Sequence, residues 1–237
     1  MPLADRVVLI TGATGPLGRA LVAAFAAEGC RVGLVGTDEE RLTTVATELG
    51  LDAAHWTPGV GDLRGADGAR AAVAAVEARF ERVDALLHAV GGWAGGTPVA
   101  ELDPAEMASM LDQHLWTTFH AIRAVLPGMV DRGWGRIVAV STPVAVNPVA
   151  KMASYAVGKA AEETLLRVVA KEIAGTGVTA NLLAVKKIDA THERENAPSS
   201  KNAGWTTPEE IAAVIRQLCS DEADPINGAR IPLDGRG

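Results

Sequence analysis

Short apolar runs alternate with longer, alanine-rich amphipathic stretches along this whole chain, and that alternation limits its fold more than any other feature. Residues 6–11, 31–36, 83–89, 135–141, 178–184 and 230–233 read as strands. Asp62-Leu63 marks the end of a further strand inside the irregular, glycine-rich 51–65. Helices are expected after residue 18 to about 28, and over 38–49, 66–80, 104–131, 153–175 and 208–220. Asp103 is the expected N-cap of the longest, with Pro104 at its first position. Strand and helix in strict succession predict an α/β architecture: a doubly wound, mostly parallel, seven-stranded sheet with helices on both faces. No linker, charge block or repeat divides the 237 residues, so one domain is expected.

Composition narrows the class. Hydrophobic residues make up 48% of the chain, enough for a large core, and charged residues 22%. A net charge of -7 argues against a nucleic-acid or anionic-membrane surface. The two cysteines, Cys30 and Cys219, form neither a disulfide framework nor a thiolate metal site, which points to a reducing, cytoplasmic setting. The five histidines show no ligand spacing, so no metal is expected. The first strand begins too early for a signal peptide, and every apolar run is broken well before 18 residues.

Two stretches carry chemistry. The first is Gly12-Ala13-Thr14-Gly15-Pro16-Leu17-Gly18, set between a strand and a helix. Backbone N–H groups and the helix dipole make that arrangement an anion site, and glycine lets a phosphate approach. At the end of the second strand, where a dinucleotide fold meets the adenine ribose, stand Gly36, Thr37 and Asp38, then Arg41. The acid that would bond a free 2′-hydroxyl is missing at Gly36, and Thr37 with Arg41 suits a 2′-phosphate; Asp38 and Glu39 also suit a helix start. The second stretch is Ser154-Tyr155-Ala156-Val157-Gly158-Lys159, which holds the only tyrosine. At helical pitch Tyr155 and Lys159 share a face, one turn apart. A cation so placed favours phenolate and equips the phenol to exchange a proton with an alcohol or carbonyl oxygen.

Over almost its whole length the chain resembles the short-chain dehydrogenase/reductase family. The resemblance rests on Thr11-Gly12 to Gly18, Asp62-Leu63, Arg79-Phe80 with Val83-Asp84, Gly135-Arg136-Ile137-Val138, Tyr155 with Lys159, and Ile226-Asn227-Gly228. It implies a Rossmann-type fold and an NAD(P)(H)-dependent oxidoreductase acting on a carbonyl, hydroxyl or conjugated-ring group, with Tyr155 as general acid/base and Lys159 as its partner. NADP(H) is favoured over NAD(H). The serine that orients the substrate oxygen falls at Thr142, with Ser141 as second choice, and the asparagine of the long helix falls at His114, which either keeps a water relay or titrates near pH 6–7. Cofactor contacts are implied for Gly12, Thr14, Gly15, Leu17, Gly18, Thr37, Arg41, Asp62, Leu63, Ala89, Gly91, Tyr155, Lys159, Lys186 and Ile188.

Trp93, Val144, Asn147 and the polar segment 186–206 are expected to shape the substrate site, the segment as a lid. A homo-oligomer, dimer or tetramer, is implied through the faces of the two long helices. The chain departs from the family at several points. His88 replaces an asparagine and is read as a structural hydrogen-bonding residue. Val185-Lys186 replaces Pro-Gly, and Pro16 replaces a glycine. A weaker likeness ties 91–96, Trp116-Thr117 and 204–208 to segments of the dihydropteridine reductases, and implies that a flat ring binds near Trp93. These departures keep an alternative open: a non-redox protein on the same scaffold, either a dehydratase, isomerase or cyclase, or a nucleotide-binding regulatory subunit.

Overall fold

The computed structural model describes residues 3–235. Seven parallel strands form one sheet in the order β3-β2-β1-β4-β5-β6-β7. They are β1 (Val7–Thr11), β2 (Arg31–Gly36), β3 (Trp56–Val60), β4 (Ala85–His88), β5 (Gly135–Ser141), β6 (Val178–Val185) and β7 (Arg230–Leu233). The helices are α1 (Pro16–Ala27), α2 (Glu39–Glu48), α3 (Ala66–Phe80), α4 (Pro104–Leu111), α5 (Thr117–Arg132), α6 (Ala153–Glu172), a short α7 (Glu193–Asn196) and α8 (Pro208–Leu218).

The central strands are apolar on both faces, and each face has its own core. One buries Leu9, Leu86, Ile137 and Leu182 under Val76 of α3, Val125 of α5 and Leu166 of α6. The other buries Ile10, Leu34, Val138 and Leu183 under Leu21 and Phe25 of α1, Leu42 of α2 and Ile215 of α8. Strands apolar on both sides suit only a sheet sandwiched between helices. Its order reverses between β1 and β4, and in open parallel sheets ligands bind outside the carboxyl ends of the strands at such a switch point.

The expected elements are present, with boundary shifts of one to three residues. One difference matters for the site. The helix expected over 104–131 is interrupted by a π turn at Asp112–Trp116. No proline or glycine lies in that turn; the interruption is a change from i→i+4 to i→i+5 bonding, which leaves no mark in composition. The expected N-cap is present, since the Asp103 side chain accepts from Ala105 N–H at 2.8 Å.

The 186–206 segment differs too. It reads as irregular, yet here it is folded. Asp189 accepts the Glu193 and Arg194 N–H groups at 2.9 and 2.8 Å and so starts α7. Buried Arg194 donates to the Trp205 carbonyl at 2.6 Å and to Glu210 at 2.5 Å. No helix is long and apolar enough to cross a membrane among the described residues.

Candidate active site

The phosphate loop follows β1. Gly12 has φ 68°, and a Cβ there would stand 2.8 Å from the Ala89 carbonyl oxygen. A Cβ at Gly18 would overlap the Gly12 carbonyl, so only glycine lets α1 sit this close to the loop. Gly15 caps α1 without a side-chain bond and Pro16 occupies its first position. The N–H groups of Leu17 and Gly18 therefore face the loop with no partner among the described residues. Thr14 is half-buried on the same turn.

A cleft of about 590 Å³ opens beyond this loop, over the ends of β4, β5 and β6. Of the residues expected at the site, Leu17, Ala89, Gly91, Trp93 and His114 line one side. Ser141, Tyr155, Lys159, Lys186 and Ile188 line the other. Thr142 is buried at its edge, while Val144 is half-buried and Asn147 exposed on the following turn; none of these three lines the cleft.

The Tyr155–Lys159 face of α6 meets the π turn. The His114 ring lies edge-on to the Tyr155 ring, with centroids 5.5 Å apart. Lys159 is buried and donates to the Val140 carbonyl at 2.7 Å and to Glu162 at 2.6 Å. Glu162 is fully buried, and burial raises its pKa against the opposing pull of Lys159. Its other oxygen accepts from Thr118 at 3.2 Å. The next residue, Glu163, is buried too and serves different partners: the Ser141 hydroxyl at 2.7 Å and the Arg230 guanidinium at 3.0 Å. Sequence reading missed both glutamates. Their signal was spacing, since positions 162 and 163 follow Tyr155 by seven and eight residues and so lie on its face.

Burial lowers the His114 pKa to about 3, with the Lys159 charge adding to the effect. At that value the ring stays neutral across pH 6–7, which favours the relay over titration for His114. Its Nε2 donates to the Gly92 carbonyl at 3.1 Å, so Nδ1 carries the lone pair. That Nδ1 is buried and has no partner among the described residues. A Cβ on Gly91 would stand 3.3 Å from it and 3.8 Å from the Lys159 ammonium. The missing side chain thus leaves a space flanked by one acceptor and one cation, suited to a hydroxyl or a water.

His88 plays the bracing part expected of it. Its Nδ1 meets the Thr11 hydroxyl at 2.9 Å and its Nε2 the Thr117 hydroxyl at 3.3 Å. Thr117 gives its own proton to the Gln113 carbonyl, so Nε2 carries the hydrogen and Nδ1 accepts from Thr11. Full burial lowers the pKa of His88 to about 3 and keeps it neutral.

The two hydroxyls before the Pro143–Ala145 turn differ. Ser141 gives its proton to Glu163. The Thr142 oxygen accepts from Val144 N–H at 3.4 Å, and its proton has no acceptor among the described residues. At the far end of the loop Thr37 and Arg41 are exposed, and Asp38 caps α2 through the Arg41 N–H at 3.1 Å. The Asp62 carboxylate is taken by Arg64, which lowers its pKa, and the carbonyl of buried Leu63 meets His120 at 3.0 Å. No group of His, Cys, Asp and Glu side chains is arranged to hold a metal among the described residues.

A glycine cradle at a switch point, leading to a Tyr–Lys pair, defines a dinucleotide-dependent oxidoreductase. Comparison with known proteins gives the family. A family model described as short chain dehydrogenase matches residues 6–201. The chain is 31% identical to a D-threitol dehydrogenase of Mycolicibacterium smegmatis, over 98% of this chain and 93% of that one. It is 30% identical to a levodione reductase of Leifsonia aquatica, again over 98% and 93%. A short-chain type dehydrogenase/reductase from Mycobacterium ulcerans superposes with a TM-score of 0.88 at 26% identity, covering 99% of this chain and 90% of that one. The chain belongs to the short-chain dehydrogenase/reductase family and is an NAD(P)-dependent oxidoreductase. Nothing in the site or the comparisons favours the non-redox alternative.

The residues present fit a nicotinamide dinucleotide. Unpartnered N–H groups at α1 suit its phosphates, and the space between His114 Nδ1 and Lys159 suits a ribose hydroxyl.

Proposed function

We propose that the chain moves a hydride between nicotinamide and a carbonyl or hydroxyl carbon of a small molecule, with Tyr155 as general acid/base. The observation that carries this reading is the placing of half-buried Tyr155 at the cleft, beside neutral His114 and one helical turn from Lys159. The nicotinamide, when bound, supplies or accepts the hydride. Gly12, Thr14, Gly15, Leu17 and Gly18 hold its phosphates, Asp62 and Leu63 border the adenine, and Ala89, Gly91, Lys186 and Ile188 border the nicotinamide half.

In the reducing direction Tyr155 gives its proton to the substrate oxygen, and Thr142, buried next to the cleft-lining Ser141, steadies that oxygen with its free hydroxyl proton once the side chain turns into the cleft. Ser141 is the weaker choice, because Glu163 holds its proton. An ammonium has three N–H groups, and Val140 and Glu162 take two of those on Lys159. One remains for the space over Gly91, where a hydroxyl or water accepts from Lys159 and donates to His114 Nδ1. Glu162 thus fixes the direction of the lysine, and His114 takes over the relay. Reprotonation of Tyr155 runs through that space.

NADP(H) is preferred over NAD(H). Gly36 leaves no acid at the end of β2, and exposed Thr37 and Arg41 stand nearby. Paired titrations of NADPH and NADH test this. Trp93 shapes the substrate site, with Val144 and Asn147 outside the cleft on the following turn, and a flat conjugated ring against exposed Trp93 fits the cleft's mouth. The chain acts as one domain in a cytoplasmic dimer or tetramer, with 186–206 as the lid. The test of the central role is Tyr155→Phe. Turnover of any carbonyl substrate falls at least about a thousandfold while dinucleotide affinity persists, as loss of a general acid/base predicts. Unchanged turnover would remove Tyr155 from the chemistry.

A further inference from the structure

The charges around the cleft are one-sided. Three of the chain's six lysines line it, Lys159, Lys186 and Lys187, although the net charge is -7. No Asp or Glu is among its lining residues. Lys159 is committed to Glu162 and Val140. Lys186 and Lys187 are exposed, and neither has an ion pair among the described residues.

The acids of the 189–210 segment are engaged elsewhere, and Asp234, whose backbone carbonyl lies with the Lys186 side chain against Gly204, forms no ion pair with either lysine among the described residues. Asp189 is turned inward to the N–H groups that start α7. Glu195 and Glu209 flank His192, and Glu210 holds Arg194. The Lys187 ammonium sits 3.4 Å from the centre of the Trp205 ring, and the Trp205 carbonyl is fixed by buried Arg194. The lysine is therefore held at the cleft by a folded support, and an aromatic face leaves its N–H groups open to an anion.

We propose that Lys187, with Lys186 beside it, forms an anion subsite, and that the substrate is a carbonyl or hydroxyl compound bearing a carboxylate or phosphate. This rests on the oxidoreductase reading above. The same chemistry could serve a phosphate of the dinucleotide, and the experiment separates the two sources.

The probes are 4-acetylbenzoate and its methyl ester, titrated into the chain saturated with NADP+ or NAD+, whichever binds, so that no turnover occurs. Tryptophan emission reports binding. The acid binds about tenfold more tightly than the ester at low salt, and the advantage shrinks as ionic strength rises. In Lys187→Gln, with its thermal midpoint retained, the advantage falls to near one. An acid advantage that is absent, whether both probes bind or neither does, overturns the subsite. So does an advantage that survives in the Lys186→Gln/Lys187→Gln double variant. A Lys187→Gln loss of dinucleotide affinity as large as the loss of acid affinity would assign the lysine to the cofactor and overturn the substrate claim. Failure of the oxidoreductase reading looks different: neither dinucleotide binds the unaltered chain.

Discussion

The two ends of the sheet both bury charge, and they finish it differently. At the amino ends of the strands, Arg136 is 1% exposed. It donates to the Gly135 and Gly177 carbonyls at 2.9 and 3.0 Å and to Asp224 at 3.2 Å. Its guanidinium lies 4.5 Å from the centre of the Trp134 ring, with Nε lacking an acceptor among the described residues. Arg6 covers the same ring at 3.6 Å, and Asp84 accepts from Val7 N–H and Arg82, both at 2.9 Å. These groups tie strand starts to loops. At the carboxyl ends Lys159, His114 and the α1 N-terminus keep donors and an acceptor turned to empty space. Each end keeps one buried polar atom without a partner among the described residues, but only at the carboxyl end does that atom face a cleft with a cation and free helix N–H groups beside it.

The sharpest way to break that contrast is to fill the open end from within. In Gly91→Ala the new Cβ would stand 2.9 Å from His114 Cε1, inside the space between Nδ1 and Lys159. We expect kcat/KM to fall about a hundredfold with the fold retained, the scale on which a small misplacement near the reacting groups acts. Steady-state kinetics with a thermal melt checks it. The reciprocal change is Arg136→Met. Removing a buried, hydrogen-bonded cation costs about 3 kcal/mol of stability, read by urea unfolding, with kcat/KM kept.

A smaller effect comes from pH. His88 and His114 are held near pKa 3 in the folded chain against 6.5 in the unfolded one. Between those values the unfolded chain binds protons that the folded chain refuses, so stability falls as pH drops below 6.5. Each histidine accounts for about 2 kcal/mol at pH 5 relative to pH 8. Glu162, raised by burial, acts in the opposite sense, since its share is lost as pH rises past its ordinary value. The histidine share is therefore read as a difference: His114→Asn flattens the acid side of the stability curve by about half.

The closed end and the scaffold were legible in the sequence because burial there follows period. Val7–Thr11 and Val178–Val185 are unbroken buried runs, and α8 starts at Pro208 as its sequence predicts. Tyr155, Lys159 and the loop glycines were legible because their residue types serve few other purposes at those spacings. The rest depended on where polar residues point. Glu162 and Glu163 drew no expectation, because spacing alone does not say that an acid on that face lies buried beneath the lysine. His114 read as either a relay residue or a titrating one because the π turn that buries it leaves no compositional trace. Lys187 was passed over beside Lys186, since only the fold brings Trp205 under it.

The claim that the carboxyl end is the working end has a direct test in tryptophan fluorescence. Trp93 and Trp205 stand at the cleft or beside it, and Trp134 stands at the far end of the sheet. Titration with NADPH and NADH should quench tryptophan emission saturably for at least one of them. Most of that quench should vanish in the Trp93→Phe/Trp205→Phe variant and survive in Trp134→Phe. No saturable binding of either dinucleotide, or a quench that disappears with Trp134 instead, would contradict the account.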